Sequence, residues 1–492
     1  MPQAIRLEDL IRDSEAVADA SAANVAVSGV TADSREVAPG FVFAALAGAR
    51  ADGRAFIPQA IARGAVAVLV HSSAALPETL DVSVIRSNDP RRSLALMAAR
   101  LFGAQPATMV AVTGTSGKTS VADFTRQIFA SLGHRSASIG TLGVVKSDGL
   151  HYGSLTTPDP VSLAQTLAEL AADGVTHAAL EASSHGLDQR RLDGCKITAG
   201  AFTNLGRDHL DYHPTMEDYL AAKLRLFSTL LPSDGVAVVN LDDGYSADVM
   251  RRVRERGLRL MATGCGEAAD VRIIRLAPDG FAQRVVVGCQ GTQVDVSLPL
   301  VGAYQASNAA VAAGLAIASG AAPTEVLGAL ADLRGVKGRL EIVGAVRGAP
   351  VVIDYAHKPD ALAAALDAVR PFASGRVICV FGCGGDRDRG KRPIMGQIAA
   401  EKADVAIVTD DNPRSEAPAV IRREVLAAAP GAQEIGDRGE AIAFAIREAR
   451  TGDVVLVAGK GHETGQIVGN EVLPFSDHAS VAEALGHAGG DE

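Results

Sequence analysis

Residues Val110 to Ser120 read VAVTGTSGKTS, an apolar run that breaks into Gly114, Thr115, Ser116, Gly117, Lys118, Thr119 and Ser120, then continues with Val121, Phe124, Ile128, Phe129 and Leu132 at helical spacing. These residue types in this order can cradle a phosphate chain. Small residues after a strand leave backbone N–H groups free, the start of a helix adds partial positive charge, Lys118 adds a full one, and Thr119 offers a hydroxyl to Mg²⁺. The expected ligand is ATP. Val112 stands where the common pattern has its first glycine, so the loop is shorter than usual and points to a particular subset of ATPases. The alternative is an ordinary glycine turn between a strand and a helix.

Two further groups of residues fit chemistry on such a nucleotide. Glu181 ends an apolar strand, His209 lies in Asn204-Leu205-Gly206-Arg207-Asp208-His209-Leu210-Asp211-Tyr212-His213, and Lys223 falls on a predicted helix. A carboxylate at a strand end beside a triphosphate suits Mg²⁺, which keeps several waters and takes few protein oxygens. Singly, these residues read as a capping acid, a core histidine and a surface lysine; together they favour a site. The second group is residues 354–360 (Asp354 to Asp360), 384–393 (Gly384 to Pro393), 410–414 (Asp410 to Arg414) and 459–463 (Gly459 to Glu463), each following an apolar run. Charge gathered at one sheet rim lines a pocket for a small zwitterion or anion, and arginine there suits a carboxylate or phosphate.

The elements that position these residues follow from periodicity. The segment from about 20 to 105 alternates the apolar runs Phe41 to Leu46, Val66 to Val70 and Val82 to Ile85 with helical patterns at 57–63 and 93–101. Strands and helices alternate again from the phosphate loop to about residue 335, interrupted between Val271 and Val301 by a period-two pattern that predicts antiparallel strands. After Gly338, runs at Val351 to Ile353, Val377 to Phe381, Val405 to Val408 and Val454 to Val457 predict a second open parallel sheet. Neither Gly382-Cys383-Gly384-Gly385 nor Gly459-Lys460-Gly461 has the third glycine of a dinucleotide fingerprint, so NAD is not expected.

Bulk composition agrees with a layered α/β chain. At 492 residues the length suggests about three domains. The chain is 48% hydrophobic but only 4% aromatic, with no Trp and 51 Gly, so Ala, Val and Leu make up its apolar mass. A net charge of −10 gives no footprint for nucleic acid or anionic lipid, and the arginines between 251 and 259 read as a solvated helix face. MPQAIRLEDLIRD lacks the apolar stretch of a signal peptide, and no run is long enough to span a membrane, so a cytoplasmic location is expected. The five cysteines are scattered and are expected to be small core residues, with no zinc or disulfide pattern.

In chain order, Gly-Thr-Ser-Gly-Lys-Thr, Glu-Ala-Ser-Ser-His-Gly-Leu, Thr-Asn-Leu-Gly-Arg-Asp-His-Leu-Asp-Tyr-His, Asp-Tyr-Ala-His-Lys-Pro-Asp, Asp-Asp-Asn-Pro-Arg and Gly-Lys-Gly-His-Glu resemble the Mur ligases of peptidoglycan synthesis over nearly the whole length. The resemblance implies three domains: 1–106, a small α/β unit for the UDP part; 107–335, a P-loop ATPase-type mostly parallel sheet; and 336–492, a Rossmann-like open sheet for the amino acid. It implies ATP-dependent addition of meso-diaminopimelate to the D-glutamyl residue of UDP-N-acetylmuramoyl-L-alanyl-D-glutamate through an acyl phosphate, by a monomer. By position, Ala32 and Ser34 would meet the uridine, and Thr156, Thr157, Ser183, Gln189 and Arg191 the muramoyl peptide. Residues Gly114 to Ser120, with Asn308 and Arg339, would hold ATP, and Thr119, Glu181, His209 and a carbamylated Lys223 would hold Mg²⁺. Arg387, Asp411, Asn412, Pro413, Arg414, Gly459 and Glu463 match the diaminopimelate pocket, with Arg414 reading the distal carboxylate that lysine lacks. Two departures are Ser116, where relatives commonly have Asn, and Ala49-Arg50-Ala51 in the uridine segment. The rivals are a phosphotransferase, a folylpolyglutamate synthase and a nucleotide-driven binding module.

Overall fold

The computed structural model describes residues 4–19, 24–48, 51–77, 80–146, 149–151, 155–209 and 212–488. Ala49 and Arg50 of the uridine segment, and Leu210 and Asp211 of the histidine motif, lie outside the described residues. Two compact units are formed, residues 1–272 with 310–326, and 273–309 with 327–492.

Among the described residues, the first unit contains a two-stranded sheet of Ile5–Arg6 and Ala26–Val27, a five-stranded N-terminal sheet and most of a central sheet. The N-terminal sheet has five strands in the order Ala16–Ala18, Ser83–Ser87, Ala65–His71, Phe41–Ala44 and Gly29–Thr31, parallel except for Ala16–Ala18 at its edge. Helix Pro90–Phe102 covers it with Leu94, Met97, Ala98 and Leu101, which join Leu7, Val30, Val42 and Leu69 in one core. Asp89 caps that helix through Arg92 N–H, and Pro90 starts it where a missing N–H does no harm.

The central sheet puts the phosphate-loop strand Thr108–Thr113 between His177–Glu181 and Ala199–Phe202, all three parallel. Ser136–Gly140 lies outside His177–Glu181, and Val236–Asn240 and Arg259–Gly264 extend the other side. These strands are almost wholly buried, as a sheet covered on both faces requires. The loops at the carboxyl ends of Thr108–Thr113, His177–Glu181 and Ala199–Phe202 therefore emerge side by side, where ligands of parallel sheets gather.

The second unit holds the antiparallel pair Ala282–Cys289 and Thr292–Leu298, as the period-two pattern predicts. Its main sheet has six strands in the order Glu341–Val346, Ala349–Asp354, Val454–Ala458, Val377–Phe381, Val405–Val408 and Gln433–Glu434. The four strands expected from the sequence are mutually parallel, and Glu341–Val346 adds an antiparallel edge strand that no expectation included. A two-residue turn at Arg347-Gly348, both with positive φ, closes that hairpin. Pro359–Val369 and Lys391–Lys402 cover one face, and Arg438–Glu448 and Asp477–Ala488 the other.

Cys289, Cys379 and Cys383 are buried, but Cys195 is half-buried and Cys265 exposed, so the expectation of five core cysteines holds for three. The arginines from 251 to 259 are all exposed. Among the described residues no helix is long and apolar enough to cross a membrane.

Candidate active site

Thr108–Thr113 delivers the chain to the loop, and helix Lys118–Ser131 begins immediately after it, with Gly117 at the helix cap in a left-handed conformation (φ 84°). The loop is clamped by the end of the neighbouring strand Ala199–Phe202. Thr115 N–H donates to Asn204 O at 2.9 Å, Ser116 N–H to Asn204 Oδ1 at 2.9 Å, and Thr203 Oγ1 to Ser116 O at 2.7 Å. Lys118 Nζ folds back onto the carbonyls of Gly114 and Thr115, at 2.9 and 3.0 Å. Thr119 and Ser120 are buried in the first helical turn.

Lys223 sits on helix Met216–Arg225, buried, and its Nζ donates to Gly114 O at 2.8 Å while lying 4.3 Å from the centroid of the Tyr219 ring. Tyr219 OH meets Thr115 Oγ1 at 3.1 Å, so one tyrosine touches both the loop and the lysine, and burial pushes its phenol pKa up. His209 is placed with a left-handed backbone (φ 53°), 3.3 Å from Asp208 and edge-on to His185 and Tyr219.

Glu181 is 2% exposed at the end of its strand. Its Oε1 accepts Thr141 N–H at 2.8 Å, and Oε2 accepts Thr141 Oγ1 at 3.3 Å. A side chain on Gly140 would fall 2.0 Å from Glu181 Oε1, so glycine there is what admits the carboxylate. Thr119 and Glu181 line one small cavity together with Asp123 and Ser138. From Glu181 a polar chain runs outward. Thr156 Oγ1 lies 3.0 Å from Thr141 Oγ1, Thr157 Oγ1 donates to Glu181 O at 2.7 Å, and Ser183 Oγ lies 3.0 Å from Thr157 Oγ1. Arg191 donates to Thr157 O at 2.6 Å and to Gln189 Oε1 at 2.8 Å, and Gln189 reaches Tyr212 OH at 3.3 Å. Burial lowers the pKa of the Arg191 guanidinium. The structure thus joins all five residues expected at the muramoyl peptide to Glu181.

In the N-terminal sheet, Ala32 is exposed and Ser34 is buried with its hydroxyl on Gln59 Oε1 at 3.0 Å. Between them Asp33 is held at a pKa of about 2 by the Arg35 guanidinium.

In the second unit, Asn308 Nδ2 donates to Gln305 Oε1 at 2.9 Å, Gln305 Nε2 donates to Arg339 O at 3.1 Å, and the Arg339 guanidinium lies over the Tyr355 ring at 4.6 Å. The rim of the six-stranded sheet gathers the rest. Lys460, fully buried, donates to Asn412 Oδ1 at 3.1 Å and to Glu463 Oε2 at 3.0 Å, and Asn412 Nδ2 donates to the same Glu463 oxygen at 3.1 Å. Gln466 donates to Asp411 O at 2.6 Å. Arg414, left-handed at φ 51°, donates from Nη1 to Gly385 O at 2.9 Å and Asn412 O at 3.3 Å. Gly459 follows the strand Val454–Ala458 and abuts Asp411. Pro413 is buried between Asn412 and Arg414, whereas Arg387 stands exposed outside this network.

Sequence reasoning passed over Thr203, Asn204, Thr141 and Tyr219 as site residues. The available signal was position. Thr203 and Asn204 directly follow a buried strand, and Tyr219 precedes Lys223 by one helical turn.

Comparison with known proteins follows the same three sheets. Residues 26–102 match the pattern described as Mur ligase family, catalytic domain; 112–316 the Mur ligase middle domain; and 338–461 the Mur ligase, glutamate ligase domain. The UDP-N-acetylmuramoyl-L-alanyl-D-glutamate–2,6-diaminopimelate ligase of Bradyrhizobium diazoefficiens is 57% identical over 484 residues, 98% of this chain and 99% of that protein. A solved structure of a ligase of that name superimposes with a TM-score of 0.74 at 33% identity, covering 99% of both chains. Folylpolyglutamate synthase of Mycobacterium tuberculosis, solved with ADP, shares the fold over 74% of this chain and 91% of its own (TM-score 0.60, 18% identity). With its phosphate loop, its three α/β domains and relatives matched end to end, the chain belongs to the Mur ligase family.

Proposed function

We propose that the protein is an ATP-dependent amide ligase that joins meso-diaminopimelate to the D-glutamyl residue of UDP-N-acetylmuramoyl-L-alanyl-D-glutamate, forming ADP and phosphate in peptidoglycan precursor synthesis. The full-length likeness to ligases of that name supports the substrate assignment. The observation that carries the chemistry is the continuous contact from the phosphate-loop residue Thr119, through the cavity it shares with Glu181, to Thr157, Ser183 and Arg191. Peptide acid and nucleotide are thereby assigned to adjoining sites.

A carboxylate is a poor acyl donor to an amine. In this reading the D-glutamyl γ-carboxylate attacks the γ-phosphorus of ATP, ADP leaves, and the acyl phosphate is then attacked at carbon by the amine, with phosphate leaving and the ammonium proton lost to solvent. The protein's part is positioning and charge neutralisation. Arg191 and Ser183 hold the peptide, the backbone N–H groups from Gly117 onward and Lys118 hold the phosphates, and Asn308 and Arg339 hold the rest of the nucleotide. Ala32 and Ser34 take the uridine end. The segments 1–106, 107–335 and 336–492 divide these tasks between the UDP part, ATP and the amino acid.

Mg²⁺ is supported by the Thr119 hydroxyl and the Glu181 carboxylate, hard oxygen donors lining one cavity, while His209 lies outside that lining and stays a candidate ligand. Mg²⁺, when bound, neutralises charge on the phosphates. Lys223 suits that role only as a carbamate, because an ammonium repels a cation. Arg414 selects diaminopimelate over lysine, since a desolvated guanidinium left without its carboxylate costs about 1.5–3 kcal/mol or more.

Phosphate release is the test. With ATP and Mg²⁺ it should require both the UDP-muramoyl dipeptide and diaminopimelate. Equal release with no amine, or with lysine in its place, contradicts the reading.

A further inference from the structure

Arg414 has an unfavourable backbone conformation for a residue with a side chain (φ 51°), and its orientation must be imposed from outside. Its strand-like neighbours supply part of the restraint. Arg414 N–H donates to Ile467 O at 3.0 Å, and Gly469 N–H donates to Arg414 O at 2.7 Å. The rest comes from the loop after Val377–Phe381. Gly385 N–H donates to Asn412 O at 2.9 Å, and a side chain at Gly385 would fall 1.9 Å from Pro413 O, so the two loops are in direct backbone contact. With Nη1 on two carbonyls, the plane of the Arg414 guanidinium is fixed to that contact.

Beside the contact lies an ion cluster in which Arg392 is buried, Glu416 and Glu424 are half-buried and Asp386 is exposed, and Glu416 N–H donates to Pro413 O at 3.1 Å. Arg392 is wholly buried. Its Nη2 and Nη1 grip the two oxygens of Glu416 at 2.8 and 3.0 Å, Nη1 also reaches Glu424 at 2.7 Å, and Nη2 reaches Gly384 O at 3.3 Å. Glu416 Oε1 in turn accepts Asp386 N–H at 2.6 Å. The Asp386 carboxylate accepts Ser415 Oγ at 2.6 Å and Ser415 N–H at 3.1 Å, one residue from Arg414. Every link is charge-assisted or to backbone, and the fork of Arg392 matches the Glu416 carboxylate as a lysine cannot.

We propose that Arg392 is a positioning residue for substrate selection: through Glu416, Asp386 and Ser415 it sets the orientation of Arg414 and thereby the discrimination between diaminopimelate and lysine. The inference rests on Arg414 as the reader of the distal carboxylate. Arg392 touches no substrate. Its contribution is to keep that guanidinium aimed before the amino acid arrives, which lowers the ordering cost of binding.

The test compares Glu416→Gln and Arg392→Lys, each alone and combined with Arg414→Ala, by kcat and KM for diaminopimelate, lysine and ATP in the full-length enzyme. Glu416 is only half-buried, so Glu416→Gln keeps the test open if Arg392→Lys fails to fold. The expected result is a KM for diaminopimelate raised about tenfold, a diaminopimelate-to-lysine preference reduced to match, and kcat and the KM for ATP within about twofold. With Arg414→Ala present, neither substitution should lower the preference further. Unchanged selectivity in Glu416→Gln, while Arg414→Ala abolishes it, overturns the positioning role alone. Equal losses in both backgrounds also overturn it. If Arg414→Ala itself leaves the preference intact, the reading of Arg414 fails and this inference with it.

Discussion

Lys118 and Lys223 direct their ammonium groups at one oxygen, the carbonyl of Gly114, at 2.9 and 2.8 Å. Two like charges so placed, within about 6 Å of each other, repel by roughly 3 kcal/mol at an effective dielectric of 20. In the proposed reading, a bound triphosphate, or carbamylation of Lys223, which reverses its sign, would relieve that cost. The expected behaviour of Lys223→Ala is a fall in turnover of about 10²–10³. Formate or acetate should restore part of it by supplying the lost anion, read as phosphate release against carboxylate concentration. Full activity of the variant without any added carboxylate would remove the modified lysine from the account.

Gly140→Ala should reproduce the defect of Glu181→Gln. The new methyl group would meet Glu181 Oε1 and push the carboxylate from the cavity it shares with Thr119. Both variants should raise the Mg²⁺ concentration needed for half-maximal activity, and Gly140→Ala should also lose about 1–3 kcal/mol of stability from overpacking. Magnesium titration of turnover, paired with urea unfolding, checks the two effects separately.

Removal of Mg²⁺ should abolish turnover without unfolding the chain, because Glu181 is already satisfied by Thr141. EDTA is therefore expected to stop phosphate release while leaving the thermal midpoint within about 2 °C, a stability change of under roughly 1 kcal/mol for domains of this size.

His357 gives a pH limb to stability. Burial, with Lys358, Lys391 and Arg339 nearby, holds its imidazole pKa down to about 3, and its Nδ1 pairs with Tyr355 O at 2.8 Å. The unfolded chain takes up this proton near pH 6.5 and the folded chain only near 3, so the unfolded state binds more protons between them. Stability contributed by the neutral ring is complete above about pH 6.5 and is lost progressively as the pH falls toward 3. His357→Gln should flatten this limb in urea midpoints measured from pH 4 to 7; an unchanged slope would assign the limb to other groups.

Much of this arrangement is legible in the sequence because period and punctuation act locally. VAVTGTSGKTS is a strand, a loop and a helix start in eleven consecutive letters, and the strand carrying Glu181 reads as a short apolar run. The antiparallel strand Glu341–Val346 is less legible, because Ile342 is exposed and a register shift between Ile342 and Gly344 breaks the alternation. The clamp of Asn204 on Ser116 and the admission of Glu181 by Gly140 depend on strands far apart in sequence becoming neighbours, and no local pattern encodes that. Arg392 is the sharpest case. It sits in a run of charged residues that reads as the rim of a pocket, yet it is wholly buried because Glu416 and Glu424 come to it from another segment.

The most direct measurement follows an oxygen atom. With ¹⁸O in the D-glutamyl γ-carboxylate of the UDP-muramoyl dipeptide, attack of that carboxylate on ATP must carry one labelled oxygen into the released phosphate for every amide formed. Mass analysis of phosphate and peptide after turnover with diaminopimelate should find that single label. Unlabelled phosphate beside amide product, or ADP formed with no amide, would contradict the acyl phosphate on which the account turns.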